Sequence, residues 1–302
     1  MRRLAVLLAL TSGCVAGQAG TMAPDDESLL ELETPVIENI EPGADITYCT
    51  YLDVAIEEDL DILSFLGTQG DFGHHTILYG ARVEQDAGTH ECTEQDMINA
   101  RYLAAGGAEG GVSAVPEGIA FRLKRGQQLM IQSHFINASD HVISGQSHFA
   151  LEVGSPDPSR ELADLFTVVT TQIEIPPGST GTAHASCPVA HDLQLVALGG
   201  HAHEWGTHVS VRHTPAAGGA ARMLYDQIWS PEAIFNPTIA HFTAEDPLFI
   251  PAGDTLEVDC EYFNDTDEPL RFPSEMCVGW SFQFPADHEV DCVDGVWPGA
   301  AP

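Results

Sequence analysis

The sequence predicts an all-β protein, with two tandem β-sandwich domains of jelly-roll type. Short alternating or apolar runs, broken by Gly, Pro, Asn and Asp, begin at Asp45 and recur along the chain, as in HHTILYGARV, QQLMIQSHFIN and LFTVVTTQIEI. Such runs are typical of sandwich strands rather than of strand–helix–strand units. About 260 residues follow the N-terminal segments, which is too many for one simple sandwich and suits two small ones.

The order of segments along the chain predicts four regions. Residues 1–14 are a signal peptide, and residues 15–42 form an acidic linker with few aromatic residues. Two sandwich domains follow at 43–155 and 163–302, separated by the Pro- and Gly-containing stretch VGSPDPSREL at 153–162. Helical pattern is scarce, and EQDMINARYLAA at 94–105 is its best candidate.

The N-terminus resembles a secretion signal. Arg2 and Arg3 precede the apolar run Leu4–Leu10, which is too short to span a bilayer. Ser12 and Gly13 then lead into Cys14, as in bacterial lipoproteins whose cysteine is lipidated. We expect an extracytoplasmic protein, anchored to a bacterial membrane through Cys14 in the periplasm or at the cell surface. Ordinary secretion with cleavage a few residues later is the alternative.

The net charge and the number of cysteines further narrow the class of protein and its compartment. The formal net charge of -34 leaves no basic stripe for phosphates, so we expect no nucleic-acid partner. Outside the cytosol an even number of cysteines suits disulfides. The six that follow Cys14 allow three bridges, and they are Cys49, Cys92, Cys187, Cys260, Cys277 and Cys292.

Histidines form two candidate groups. His201 and His203 lie two apart in LQLVALGGHAHEWGTHVSVRH, which reads as two strands joined by a turn, so both imidazoles can point to one face. His74 and His75 begin a second run after Gly73, where a bend would let adjacent side chains meet. His134 in LMIQSHFIN could complete an all-histidine site suited to copper or zinc. With 14 His, chance alone yields about one such pair of each kind.

A soft ligand follows in PSEMCVGWSFQFP. Met276 beside two imidazoles would favour Cu(I) over zinc. The competing interpretation is that Met276 packs in the core, as most methionines in β-runs do.

Taken in order, GHHTILYG, QSHF, IPPGSTGTAHASC, HAHEWG and EMC resemble the copper type II, ascorbate-dependent monooxygenases, the family of peptidylglycine alpha-hydroxylating and dopamine beta-monooxygenase. The resemblance covers roughly Ile46–Cys292. It implies two coppers per chain, one on His74, His75 and His134 and one on His201, His203 and Met276, the second being catalytic. It also implies the bridges Cys187–Cys292 and Cys260–Cys277, and leaves Cys49 to pair with Cys92.

The same resemblance implies an enzyme that hydroxylates a C–H bond of a small organic substrate. Dioxygen would be one co-substrate, and ascorbate or another one-electron reductant the other. Gly199, Val278 and Trp280 stand where the peptide-amidating branch has Arg, Asn and Tyr, so we expect a more apolar substrate pocket at these three residues. The alternatives are a non-enzymatic copper-sequestering lipoprotein and a purely structural β-sandwich surface protein.

Overall fold

Strands supply nearly all regular structure in the computed structural model, which describes residues 28–70, 73–107, 112–230, 233 and 237–297. Among its described residues, the N-terminal half (28–162) contains one short helix and thirteen strands. They are β1 (Ser28–Glu33), β2 (Ile37–Ile40), β3 (Asp45–Tyr51), β4 (Leu60–Thr68), β5 (Gly73–Ala81), β6 (Gly88–Glu91), α1 (Glu94–Asn99), β7 (Ala100–Gly107), β8 (Val112–Ala114), β9 (Ile119–Leu123), β10 (Leu129–Ile136), β11 (Ile143–Gly145), β12 (His148–Gly154) and β13 (Glu161–Leu162).

The C-terminal half, residues 164–297, contains twelve strands among its described residues. They are β14 (Asp164–Thr170), β15 (Glu174–Ile175), β16 (Thr180–Pro188), β17 (Leu193–His201), β18 (Gly206–Thr214), β19 (Arg222–Ile228), β20 (Ala240–His241), β21 (Leu248–Ile250), β22 (Thr255–Phe263), β23 (Leu270–Arg271), β24 (Cys277–Phe284) and β25 (Val290–Val293). The predicted strand pair around HAHEWG is therefore present as β17 and β18.

Each half is a sandwich of two sheets with a small third sheet beside them. In the N-terminal half the order β1-β12-β4-β9-β13, with β8 on β4, faces the order β6-β3-β10-β5-β7. In the C-terminal half β20-β17-β24-β14-β25, with β21 on β17, faces β16-β22-β18-β19. Alternating side chains fill the space between the sheets, as Ile62 and Leu78 do in the first half and Leu195 and Val258 in the second. The fold is all-β, of tandem jelly-roll type, as predicted.

One turn occurs in both halves with the same hydrogen bonds. The buried amides of Asn137 and Asn264 follow β10 and β22, and each donates to two backbone carbonyl oxygens at 2.8 to 2.9 Å. Ser139 and Thr266, two residues on, each donate to the asparagine Oδ1. The two halves therefore share an internal architecture that no short sequence period reveals, and both Asn-x-Ser/Thr stretches are built into the fold.

Two stretches differ from the sequence prediction. The predicted linker 15–42 contains β1 and β2 from residue 28 on, because Leu32 and Ile40 are buried in the sandwich. The predicted helix at 94–105 ends at Asn99, and its second part is β7, which pairs with β5 and buries Leu103. Pairing and burial across the sheet override the local helical pattern. The domain boundaries as such stay a prediction.

Side chains from both halves pack together. The rings of Phe121 and Phe282 lie 4.7 Å apart in an edge-to-face arrangement. Val196 packs in the same apolar cluster as core residues of the first half. The Arg101 guanidinium donates to Asp164 at 2.5 Å. The contact between the halves therefore combines apolar burial with buried charge.

Glu289 is a buried carboxyl beside this contact, and we predict that it makes stability fall with rising pH. Burial first, and then the charge of Asp291, raise its pKa to about 8, although Arg82 opposes the shift. Because the native state keeps a proton that the unfolded chain releases above about pH 4.3, stability present at lower pH is lost as the pH rises toward 8. Glu289→Gln should match the wild type near pH 5 and exceed it near pH 9 by on the order of a few kcal/mol in urea unfolding. Parallel pH profiles for the two proteins would contradict this.

Candidate metal site

Neighbouring strands β5 and β10 bring three histidines together. His134 lies directly opposite His75 in the antiparallel pairing, and the register then shifts so that Phe135 pairs with Gly73. His74 is thus an extra residue on β5, and such a bulge re-aims a side chain relative to a regular strand. The bend that the sequence suggested after Gly73 is present, and adjacent His74 and His75 both approach His134.

The imidazole nitrogens are spaced as ligands of one ion would be. The Nδ1 of His134 lies 3.1 Å from the Nδ1 of His74 and 3.4 Å from the Nδ1 of His75. Zinc binds imidazole nitrogen at about 2.0–2.1 Å, so two nitrogens on one tetrahedral ion lie about 3.4 Å apart. All three ligand atoms lie within 4.8 Å of one another. Among the described residues, His74, His75 and His134 form the one group of three or more His, Cys, Asp or Glu residues whose ligand atoms lie this close together.

Burial keeps the imidazoles of His74 and His75 neutral. Loss of hydration, and then the charge of His134, lower the pKa of His74 to about 4. The same two causes lower the pKa of His75 well below its usual value, and His74, His201 and His203 add to the shift. A neutral imidazole has a lone pair to offer an ion at neutral pH.

Asp45 orients His134. The Nε2 of His134 lies 2.6 Å from a carboxylate oxygen of Asp45, at the start of β3. Because a carboxylate oxygen only accepts, Nε2 carries the proton and donates it, which leaves the Nδ1 lone pair directed at His74 and His75. Carboxylates in this position fix the tautomer and ring orientation of metal-binding histidines.

The second predicted group lies at the end of β17. The rings of His201 and His203 are 5.1 Å apart and edge-to-face. Burial, and then the charge of His203, lower the pKa of His201 to about 3. The Nδ1 of His203 donates to the carbonyl oxygen of Ser274 at 3.0 Å, which leaves its Nε2 to accept or to bind an ion.

Met276 precedes β24 and is half-buried. Its carbonyl oxygen accepts from the Tyr262 hydroxyl at 2.7 Å. The buried Glu275 carboxylate accepts from the backbone N–H groups of Met276 at 2.8 Å and His203 at 2.5 Å. A third bond comes from the Trp205 N–H at 3.2 Å. Glu275 thereby ties the loop of His203 to the strand of Met276, and the role of this group as metal ligands stays a prediction.

The predicted substrate-pocket residues pack against one another. Gly199 lies opposite Trp280 in the pairing of β17 with β24, and Val278 lies opposite His201. A side chain at Gly199 would meet the indole of Trp280 at 2.5 Å. The indole Nε1 donates to the carbonyl oxygen of Gly200 at 3.3 Å. The space beside Gly199 is therefore occupied by Trp280.

Three disulfides join the six cysteines. They are Cys49–Cys92, Cys187–Cys292 and Cys260–Cys277, the same three pairs that the sequence analysis expected. In the last of them, Cys277 is the first residue of β24 and directly follows Met276. Cys14, the expected lipidation site, lies outside the described residues. Within the described part of the chain, no helix has the length and apolar character needed to cross a membrane.

Sequence reasoning missed two residues of these groups, Asp45 and Glu275. Asp45 precedes His134 by 89 residues, and only the pairing of β3 with β10 brings them together. Glu275 is the residue before Met276, but its carboxylate bonds to a loop 70 to 72 residues away in sequence. A local pattern of residues signals neither contact.

Comparison with known proteins does not return the expected family. No family model matches the sequence, and no curated protein matches it. Among solved structures, the major capsid protein P2 of bacteriophage PM2 aligns with a TM-score of 0.40 and 11% identity, over 85% of this chain and 97% of that one. PBCV-1 VP54, fitted into a reconstruction of the virophage Sputnik, aligns with a TM-score of 0.31 and 8% identity, over 94% and 99%. A triple jelly-roll protein of an archaeal virus aligns at 0.22 and 11%, over 84% and 58%.

The monooxygenase identification is therefore wrong. The solved structures that align include a viral major capsid protein and a triple jelly-roll protein of a virus, and no family model or curated protein supports a copper type II, ascorbate-dependent monooxygenase. The expectations that rested on it are corrected with it: the C–H-hydroxylating enzyme, the two coppers, the ascorbate-type reductant, the small-molecule substrate with dioxygen, and the copper-sequestering alternative. The lipid-anchored membrane partner is corrected too. The physical reason is that pairs such as His-His and His-x-His are short, and 14 histidines on many strands produce them readily.

Proposed function

We propose that this chain is an extracytoplasmic, non-enzymatic metal-binding protein whose N-terminal sandwich holds one divalent ion of the zinc type. The ligands would be His74, His75 and His134. The observation that carries the proposal is the spacing of their Nδ1 atoms, 3.1 and 3.4 Å, which matches the edge of a tetrahedron around such an ion.

The donor set itself favours reversible binding. Closed structural zinc sites use four protein ligands, whereas three leave one position for water or an exogenous donor. The three imidazoles are half-buried, so the ion can enter from solvent. Asp45 supplies the outer carboxylate that a stable histidine ligand needs. The extracytoplasmic location is supported by three disulfides, since such bonds are rare in reducing compartments.

The test is a titration of metal-free protein with Zn²⁺ by calorimetry, together with the visible spectrum of the Co²⁺ form. We expect one saturable zinc equivalent in the N-terminal half, and Co²⁺ d–d bands of the intensity that tetrahedral sites produce. His141→Ala is the matched control, because His141 is an exposed histidine of the same half that is not a member of the three-histidine group. Absence of saturable binding would overturn the proposal, as would binding that any of the three ligand variants leaves unchanged.

Asp45 offers a second prediction that rests on the same site. Asp45→Asn keeps the shape of the side chain but removes the charge that favours a proton on Nε2 of His134. Because outer partners of metal-binding histidines contribute about 10- to 100-fold in affinity, we expect zinc binding to weaken by that factor. The midpoint of unfolding of the metal-free protein should stay nearly unchanged, since exposed ion pairs contribute about 0–1 kcal/mol. Equal zinc affinity of the variant and the wild type would contradict the orienting role.

A further inference from the structure

We infer that a cleft at the junction of the two halves binds a small soluble anion that carries a carboxylate or phosphate group. The cleft has a volume of about 520 Å³, within the range of small-molecule sites. Arg82, Arg101, Lys124 and Arg125 line it from the N-terminal half, and Asp287 and His288 from the C-terminal half. It is separate from both histidine groups, and none of their members lines it.

The lining is richer in cations than the protein as a whole. The chain has 11 Lys and Arg against 45 Asp and Glu. Four of those 11 cations line this one cleft, whereas Glu84 and Asp287 are its acidic residues. A protein of net charge -34 repels anions over most of its surface, so an anion can approach where cations concentrate in a concave site with low-dielectric walls.

Two of the four cations, Arg82 and Arg101, already form ion pairs within the protein. The Arg82 guanidinium lies 2.7 Å from Glu289 and 3.5 Å from Asp291. Arg101 pairs with Asp164 at 2.5 Å. These pairs join the halves and stabilise the wall of the cleft. Asp287 in turn lies 2.8 Å from the Nδ1 of its neighbour His288.

Lys124 and Arg125 are the two that form no ion pair within 4.0 Å among the described residues, and both are exposed. The hydrogen bond from His288, and more weakly the charge of Lys124, lower the pKa of Asp287, so Lys124 is near that carboxyl without pairing with it. An ammonium and a guanidinium together offer several N–H donors to an oxyanion. In a chain so rich in carboxylates, two adjacent exposed cations that line a cleft and form no ion pair within 4.0 Å among the described residues indicate a place for an external anion.

Their backbone is held in one conformation. Gln127 N donates to Lys124 O at 3.0 Å across a tight turn, in which Gly126 adopts a φ of 76°. Arg125 N donates to the Asp59 carboxylate at 2.8 Å, and Gly126 N donates to Ile56 O at 2.8 Å. Because the turn is anchored on both sides, a ligand need not order it, which lowers the entropic cost of binding.

The alternative is that these charges only hold the halves together. The two explanations predict different effects of replacing Lys124 and Arg125. A network that only holds the halves together does not need exposed cations that form no ion pair. Replacing both by alanine should therefore leave the midpoint of unfolding unchanged while it removes the anion site. Arg222→Ala is the matched control, since it removes one exposed cation from β19 in the other half.

The experiment is a calorimetric titration of the full chain with inorganic phosphate and, separately, with succinate, at low chloride concentration. We expect saturable one-to-one binding of at least one probe, and the probe that binds more tightly identifies the phosphate or the carboxylate class. The Lys124→Ala/Arg125→Ala double variant should bind at least about tenfold more weakly, because it removes both charged donors that can hydrogen-bond to the anion. Arg222→Ala should bind like the wild type. Failure of both probes to bind would overturn the inference, as would equal affinity in the double variant.

Discussion

His134→Ala is expected to abolish zinc binding at the three-histidine group. The Nδ1 of His134 is the nitrogen that lies near both others, at 3.1 Å from that of His74 and 3.4 Å from that of His75. Its removal leaves two imidazoles and an empty third position. Loss of an outer partner alone costs about 10- to 100-fold in affinity, so loss of the ligand itself should cost more than about 100-fold.

The fold should tolerate this change. His134 has a side chain that is 16% exposed, and its partner Asp45 lies largely in solvent. The lost ion pair should therefore contribute no more than about 1 kcal/mol to the free energy of unfolding. Calorimetric zinc titration and thermal unfolding of the metal-free variant, beside the His141→Ala control, check both statements. A His134→Ala protein that is folded and still binds zinc with unchanged affinity would remove the basis of the metal site.

Removing the Cys187–Cys292 bridge should produce the largest loss of stability among the three disulfides. The bridge joins β16 of one sheet to β25 of the other, and its ends are 105 residues apart. In the chain-entropy model, a loop of this length contributes about 4.7 kcal/mol by restricting the unfolded chain. Both cysteines are fully buried, so the Cys187→Ala/Cys292→Ala pair avoids placing unpaired hydroxyls in the core.

The other two bridges are the internal comparison. Cys49–Cys92 spans 43 residues and Cys260–Cys277 spans 17, for which the same model yields about 4 and about 3 kcal/mol. Thermal unfolding of the three double-alanine variants should place Cys187–Cys292 lowest, with a Tm roughly 10 °C or more below the wild type. If the Cys260–Cys277 variant loses the most stability, loop closure does not govern the contribution of these bridges.

The family resemblance shows how far short motifs can mislead. The resemblance rested on the order of His-His, His-x-His and Met-Cys along the chain. Each of these motifs has only two or three residues, and a chain with 14 histidines contains such His pairs by chance. The alternating runs were a better guide, because the period of a strand repeats over many residues and is set by burial on one face. That is why the all-β tandem jelly-roll fold was predicted correctly and the enzyme was not.

Local pattern by itself determined the strands, the turn after HAH and the grouping of His74 with His75. Only the tertiary structure decided that the second part of the predicted helix pairs as β7, that β1 and β2 lie in the sandwich, and that Asp45 reaches His134. It also decided that cations distant in sequence line one cleft between the halves. The physical reason is the same in each case. Strand pairing joins residues far apart along the chain, and the register that sets those contacts depends on the burial of whole sheets rather than on neighbouring residues.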